Sequence, residues 1–374
     1  MTVRFRGKPL RHALRARHFL MLGAALVVIA PAAARATSPA RTPAPDCGCG
    51  NVATYTYSGP TSAVTGKQTY LVFTPNGYTG RKALPLVVVT HGCETTAAQQ
   101  EAANNYDQLA ERFGFIILYP DDNDLVHPIQ CWQFYNPLNQ IPGEGDAASV
   151  AAMTRDVIAH YRVNTQRVYE IGMSSGALIT SDLAADYPEL YAVVGIMAGG
   201  PFGNDACLSG QDPSAAGFNP QLQASIQGAY HAEGANKRVV PVIVLNGTDD
   251  HTVNPVCDQM AIEQWLETDN LVSDGTTTLP LRITPAKVTH GQVRHGYAYS
   301  VESYTQPSGC LIAQHWVING MGHFWSGGTT NPAYKAFTDP KGPSASAASW
   351  AFFQRFTRSS TSHRCADLSA SHHA

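Results

Sequence analysis

The segment Gly172-Met173-Ser174-Ser175-Gly176 sets a serine between glycines, directly after an apolar run that ends at Ile171. A serine hydroxyl is a weak nucleophile until a base removes its proton. On a sharp turn between a strand and a helix, such a hydroxyl projects above the sheet edge, and flanking glycines let the backbone bend and approach closely. The helix that follows aims its unpaired N-terminal N–H groups at the same place, where negative charge is stabilised. The chemistry open to this arrangement is attack on a carbonyl carbon. The bland alternative is a turn rich in serine and glycine; the strand before it and the helix after it argue for the active serine.

A nucleophilic serine needs a base and an acid that orients the base. After a strand–serine–helix turn of this kind, both follow the serine in chain order, acid first. The apolar run Val239–Leu245 leads into Asn246-Gly247-Thr248-Asp249-Asp250. A later run leads into Asn319-Gly320-Met321-Gly322-His323. Both candidates lie where the carboxyl ends of parallel strands form a crevice. Of the 14 histidines, His323 fits best; His251 is the nearest rival but sits beside the proposed acid instead of on a separate loop. Leu84–Thr90 ends in His91-Gly92-Cys93, the position that supplies one oxyanion N–H, and Ser175 supplies the second. Cys93 therefore acts through its main chain, and His91 shapes the turn. Asp146 opens a run with Val150, Met153, Val157 and Tyr161 at helical spacing; it reads as an N-cap before it reads as a catalytic acid.

These residues must be positioned by alternating strands and helices. Gln68–Phe73, Leu84–Thr90, Phe115–Tyr119, Arg167–Ile171, Tyr191–Met197, Val239–Leu245, Tyr297–Tyr304 and Ile312–Ile318 read as strands. Several are apolar throughout, as expected of strands buried on both faces. Thr96–Phe113, the run opened by Asp146, Ser175–Tyr187, Pro255–Leu266 and Ser344–Phe356 read as helices. The alternation predicts a single α/β domain over residues 66–357: a mostly parallel sheet with helices on both faces.

The chain has 374 residues, 44% hydrophobic and 14% charged, which excludes a disordered protein. Residues 1–36 combine a basic start, the apolar run Phe19–Ala30 and the ending Ala34-Arg35-Ala36. That pattern predicts a secretory signal peptide, since the run is shorter than the ~20 residues of a membrane span. Residues 37–65 then read as a leader and 358–374 as a polar tail. Without residues 1–36 the balance is 18 basic against 28 acidic residues, so nucleic acid and anionic membranes are not expected partners. Eight cysteines in an exported chain suggest disulfides. Cys93 and Cys131 both lie on loops that should border the site, which predicts a bridge between them, with Cys257–Cys310 as a second pair. Cys47-Gly-Cys49 lacks a second ligand pair, so no metal site is expected. The chemistry requires no cofactor.

Together, His91-Gly92-Cys93, Cys131-Trp132, Gly145-Asp146, Gly172–Ala177, Gly247–Asp250 and Gly320–Gly328 resemble, in order, the esterases of the polyhydroxybutyrate depolymerase type. The resemblance runs over roughly residues 66–357. It implies an α/β-hydrolase fold, a triad of Ser174, Asp250 and His323, and oxyanion donors at Cys93 and Ser175. Asp250, not Asp249, matches the family's acid. Trp132 matches an aromatic that can line a substrate subsite, extended by Phe134 or Tyr135; the alternative is that Trp132 packs under a loop pinned by Cys131. The implied substrates are polyesters or hydroxyacid oligomers, chiefly of the poly(3-hydroxybutyrate) type. Feruloyl and acetylxylan esterases share the fold and motifs, so fold alone does not choose the substrate. Only 51 residues follow His323, so no separate polymer-binding domain is expected, and soluble or amorphous substrates are.

Overall fold

Seven consecutive residues, Leu84–Thr90, are buried without interruption. Such a strand needs cover on both faces, and the arrangement of the chain follows from that need. The computed structural model describes residues 41–42, 49–57, 68–122, 129–203, 215–276, 283–306 and 309–359. All fall within one compact unit, Ala36–Ala374. The expected signal peptide and nearly all of the tail lie outside the described residues.

In chain order the elements are β1 (Arg41–Thr42), β2 (Asn51–Tyr57), β3 (Gln68–Thr74), β4 (Leu84–Thr90), α1 (Ala97–Asn104), α2 (Tyr106–Phe113) and β5 (Ile116–Pro120). Then follow α3 (Gly145–His160), β6 (Val163–Met173), α4 (Ser175–Asp186), β7 (Val193–Met197), α5 (Ala215–Ala232), β8 (Val242–Gly247) and α6 (Pro255–Asp274). The chain closes with β9 (Lys287–Gln292), β10 (Ala298–Thr305), β11 (Leu311–Ile318) and α7 (Ala345–Phe353). One 11-stranded sheet has the order β1-β2-β3-β5-β4-β6-β7-β8-β11-β10-β9. The run from β5 to β11 is parallel throughout, and both flanks are antiparallel. The expected parallel core is present within a mixed sheet.

Alternate residues of each central strand face opposite layers. Leu86 and Val88 join Val150, Met153 and Ile179 from α3 and α4 in one cluster. Val87 and Val89 join Tyr106, Ala110, Trp350 and Phe353 from α2 and α7 in the other. Each such side chain contributes roughly 1.5–3 kcal/mol on full burial, so a one-residue slip in register would misplace both layers at once.

Three expectations change. The single helix expected over Thr96–Phe113 is two, because Asn105 takes a left-handed φ of 62° and the Asn104 side chain accepts the Tyr106 N–H at 2.7 Å. The sheet also reaches into the supposed leader: Asn51–Tyr57 pairs with β3 in the register Tyr55↔Tyr70. Asp146 lies inside the first turn of α3, behind Glu144 at the N-cap, and its carboxylate accepts the Gln133 N–H at 2.7 Å. It ties a loop to a helix instead of capping the helix.

Candidate active site

Strand β6 ends at Met173, and α4 begins at Ser175. Ser174 makes the turn alone, with φ 56° and ψ −122°. A non-glycine residue held there carries roughly 1–3 kcal/mol of strain, which persists only where the surroundings enforce it. They do so by close approach. A Cβ on Gly172 would stand 2.3 Å from the Gly176 backbone, and one on Gly176 would stand 2.4 Å from the His91 carbonyl oxygen. Only glycine at both positions lets β6, α4 and the end of β4 cross so tightly. Ser174 N–H donates to the Met197 carbonyl at 3.0 Å, which ties the turn to β7.

The loop after β4 passes over this turn. A Cβ on Gly92 would lie 3.1 Å from Ser174 Cβ and 3.8 Å from its Oγ, so the backbone of Gly92 borders Ser174. Cys93 is bridged to Cys131, with Cα atoms 4.0 Å apart, well inside the ~7 Å limit for a disulfide. Cys49, Cys257 and Cys310 are also disulfide-bonded, but Cys257 and Cys310 are not joined to each other. Cys257 begins α6 beyond the carboxyl end of β8, whereas Cys310 precedes β11, at the opposite end of the parallel strands.

Trp132 departs from the expected substrate wall. It is fully buried. Its indole N–H donates to the His91 carbonyl at 2.9 Å, and its ring lies against the His91 ring, with centroids 5.1 Å apart. A large aromatic with one polar handle is placed to support the loop that carries Cys93, from below. Phe134 is buried as well, whereas Tyr135 is 53% exposed.

Strands β8 and β11 bring Asp250 and His323 together. They run parallel with Gly247 opposite Ile318. Beyond them, Thr248 N–H donates to Ile318, Asp249 N–H to Met321, and Gly320 N–H to the Thr248 hydroxyl. His323 Nδ1 then lies 2.7 Å from Asp250 Oδ2. The other oxygen, Asp250 Oδ1, accepts the N–H groups of Thr252 at 2.8 Å and Val253 at 2.9 Å. Asp250 is buried. Asp249 faces away, 66% exposed at its side chain, against an 86% exposed His251. The geometry separates the two neighbouring carboxylates cleanly.

Sequence reasoning missed the supports around the crevice. The loop after β7 is held by buried acceptors: Asp258 takes the Gly199 N–H at 3.0 Å, Gln264 the Phe202 N–H at 3.2 Å, and Asp182 the Gly203 N–H at 3.3 Å. Burial holds the carboxyl groups of Asp182 and Asp258 well above the ordinary carboxylate range. Under the serine turn, Glu170 accepts the Thr90 hydroxyl at 2.8 Å, and burial raises its carboxyl to about 8. For Glu170 and Asp182 the signal available was an acid set within an apolar run, Val168-Tyr169-Glu170-Ile171 and Leu178 to Ala185. Among the described residues there is no cluster of groups able to hold a metal ion.

The chain is similar to poly(3-hydroxyalkanoate) depolymerase C of Paucimonas lemoignei, with 26% identity over 63% of this chain and 60% of that protein. It is also similar to feruloyl esterase B of Thermothelomyces thermophilus, with 30% identity over 48% of this chain and 64% of that protein. The chain spans less than two-thirds of the length of either relative. The fold is that of an acetyl xylan esterase from Aspergillus awamori, at TM-score 0.58 and 20% identity over 77% of this chain and 97% of that one. Residues 68–279 match the family described as esterase PHB depolymerase, and with more than half of its length in that match, this chain belongs to that family.

Proposed function

We propose that this protein is a carboxylic ester hydrolase in which Ser174 is the nucleophile, His323 the general base and Asp250 the residue that orients the base. The observation that carries the reading is the 2.7 Å contact between His323 Nδ1 and the buried Asp250. It occurs at the same carboxyl edge of the sheet as a serine held in a strained turn. In the proposed cycle, His323 Nε2 takes the Ser174 proton as Oγ attacks the ester carbonyl carbon. The resulting oxyanion accepts the N–H groups of Cys93 and Ser175. The bond to the alcohol oxygen breaks, and His323 returns the proton to that oxygen. Water repeats the sequence on the acyl-enzyme, releasing the acid and restoring Ser174.

The substrate we propose is a polyester or hydroxyacid oligomer of the poly(3-hydroxybutyrate) type. Family membership supports it, as does similarity to a poly(3-hydroxyalkanoate) depolymerase. Exposed Ile129 and Tyr135 lie on the loop whose Ile129 carbonyl accepts the Glu94 N–H at 2.9 Å, next to Cys93. Apolar groups there suit a neutral, moderately apolar chain. Similarity to a feruloyl esterase favours aryl or acetyl esters of plant polysaccharide as the second reading. A fluorophosphonate should label the wild-type chain and not Ser174→Ala; unlabelled wild type refutes the serine mechanism. Release of 3-hydroxybutyrate from oligomers, compared with ferulate and acetate from polysaccharide esters, decides between the substrates.

Export is proposed on the pattern of residues 1–36 and is supported by the Cys93–Cys131 bridge. No helix of the described residues is long and apolar enough to cross a membrane. N-terminal sequencing of the mature chain tests it.

A further inference from the structure

The loop that borders Ser174 contains a peptide unit whose orientation is fixed from one side. The Gly92 carbonyl accepts two hydrogen bonds, from Thr95 Oγ1 at 2.5 Å and from His91 Nδ1 at 2.8 Å. The direction of the second follows from the other ring nitrogen. His91 Nε2 accepts the Asp122 N–H at 3.2 Å, so the ring proton belongs on Nδ1 and is donated to Gly92. The Asp121 carboxylate is 3.6 Å from Nε2 and already accepts the Ala97 N–H at 2.8 Å. Thr95 and His91 are both buried, and the His91 ring lies against Trp132. The Gly92 carbonyl therefore points into the protein.

A trans peptide is planar, with its C=O and N–H directed oppositely. Fixing the Gly92 carbonyl inward turns the Cys93 N–H the opposite way, away from Thr95 and His91, in a peptide unit whose Gly92 end packs against Ser174. Without those two donors the peptide could rotate and point its carbonyl oxygen at the crevice, placing a partial negative charge where an oxyanion must form. We infer that Thr95, together with the His91 ring, is a positioning residue that locks the Gly92–Cys93 peptide so that the Cys93 N–H is aimed at the oxyanion. This inference rests on the serine esterase reading above. It assigns His91 a role through its ring proton, with no proton transfer to substrate.

The consequence is specific to the transition state. An ester carbonyl in the ground state carries little charge, so a misaimed donor barely alters substrate binding, whereas stabilisation of the tetrahedral oxyanion suffers in full. Thr95→Val keeps the side-chain volume and removes the hydroxyl; Thr95→Ala removes the hydroxyl and adds no bulk; Thr95→Ser keeps the donor. In the full chain, with p-nitrophenyl butyrate, Val and Ala should each lower kcat by roughly 10- to 100-fold, part of the loss seen when an oxyanion donor is removed outright. KM should stay within about twofold, since substrate binding is spared. Affinity for an alkyl trifluoromethyl ketone, which forms a tetrahedral adduct, should fall in the same ratio as kcat/KM, and Ser should restore both. A kcat within twofold of wild type for both Val and Ala, in a chain that fluorophosphonate labels, overturns this inference alone. So does a loss of kcat that tracks Tm and that Ser does not restore. A wild-type chain that fluorophosphonate does not label overturns the esterase reading, and this inference with it.

Discussion

Replacing Asp250 with Asn changes one atom, and the surroundings determine how the new amide sits. Asp250 Oδ1 accepts the N–H groups of Thr252 and Val253. Turning the amide over would set its NH2 against two donors, so the Asn oxygen stays with them and the NH2 faces His323 Nδ1. His323 must then accept at Nδ1 and carry its proton on Nε2, the nitrogen that has to take the Ser174 proton. The base is lost while the packing is kept. A wrong-tautomer variant of another serine triad loses about 10⁴-fold in kcat, which corresponds to about 5 kcal/mol in the barrier. Asp249→Asn should change kcat less than about threefold, because that carboxylate is exposed and its partner is a screened surface histidine. The assay is kcat/KM on p-nitrophenyl butyrate, with Tm measured alongside to show that both variants fold. Near-wild-type turnover in Asp250→Asn, or a large loss in Asp249→Asn at unchanged Tm, would refute the assignment of the acid.

Four further outcomes are expected. Ser174→Gly should be inactive yet raise Tm, because glycine relieves the strain at φ 56°, worth on the order of 1 kcal/mol; an unchanged or lower Tm would argue against a strained turn. Trp132→Ala should lose activity and roughly 3–5 kcal/mol of stability together in urea titrations; full stability with loss confined to large substrates would restore the substrate-wall role. Opening the Cys93–Cys131 bridge by Ala substitution at both positions, across a sequence separation of 38, should cost about 4 kcal/mol on the chain-entropy account, read as a lower urea midpoint. Glu170 has a folded pKa of about 8, raised by burial, so the native state holds a proton that the unfolded state releases. Its contribution is complete below the unfolded carboxylate range and is lost as pH rises towards 8, at about 1.4 kcal/mol per pH unit. Glu170→Gln should therefore flatten the fall in stability between pH 5 and pH 8, and an unaltered slope would show that this carboxyl does not contribute.

The parts of the fold legible in the sequence were those where a local pattern and the tertiary need coincide. Leu84–Thr90 reads as a strand because it is almost wholly apolar, and it is one. The serine turn reads from its glycines, and Gly172 and Gly176 sit where any Cβ would collide with backbone. Asn51–Tyr57 was hidden because a half-buried strand rich in Thr and Tyr, next to a Pro- and Ala-rich stretch, carries no strong period. Lys287–Gln292 was hidden for a related reason: it is exposed along nearly its whole length, and only its pairing with β10 makes it a strand. Trp132 shows a different limit. Its residue type fits a subsite and a core equally well, and only the position of the His91 carbonyl separates the two. Asp146 likewise acts through a backbone group of another segment, and no spacing in the sequence encodes that partner.

Asp250 and His323 are 73 residues apart in the chain, and that distance is bridged by α6, β9, β10 and β11. The stitches that hold the pair in place are elsewhere: the ladder between β8 and β11 and the bonds of Thr248, Asp249 and Gly320 just beyond it. Covalent continuity between acid and base is therefore incidental to their alignment. A chain cleaved by limited proteolysis at the exposed Gly275–Thr276 step should stay associated and keep its turnover, as a two-fragment enzyme.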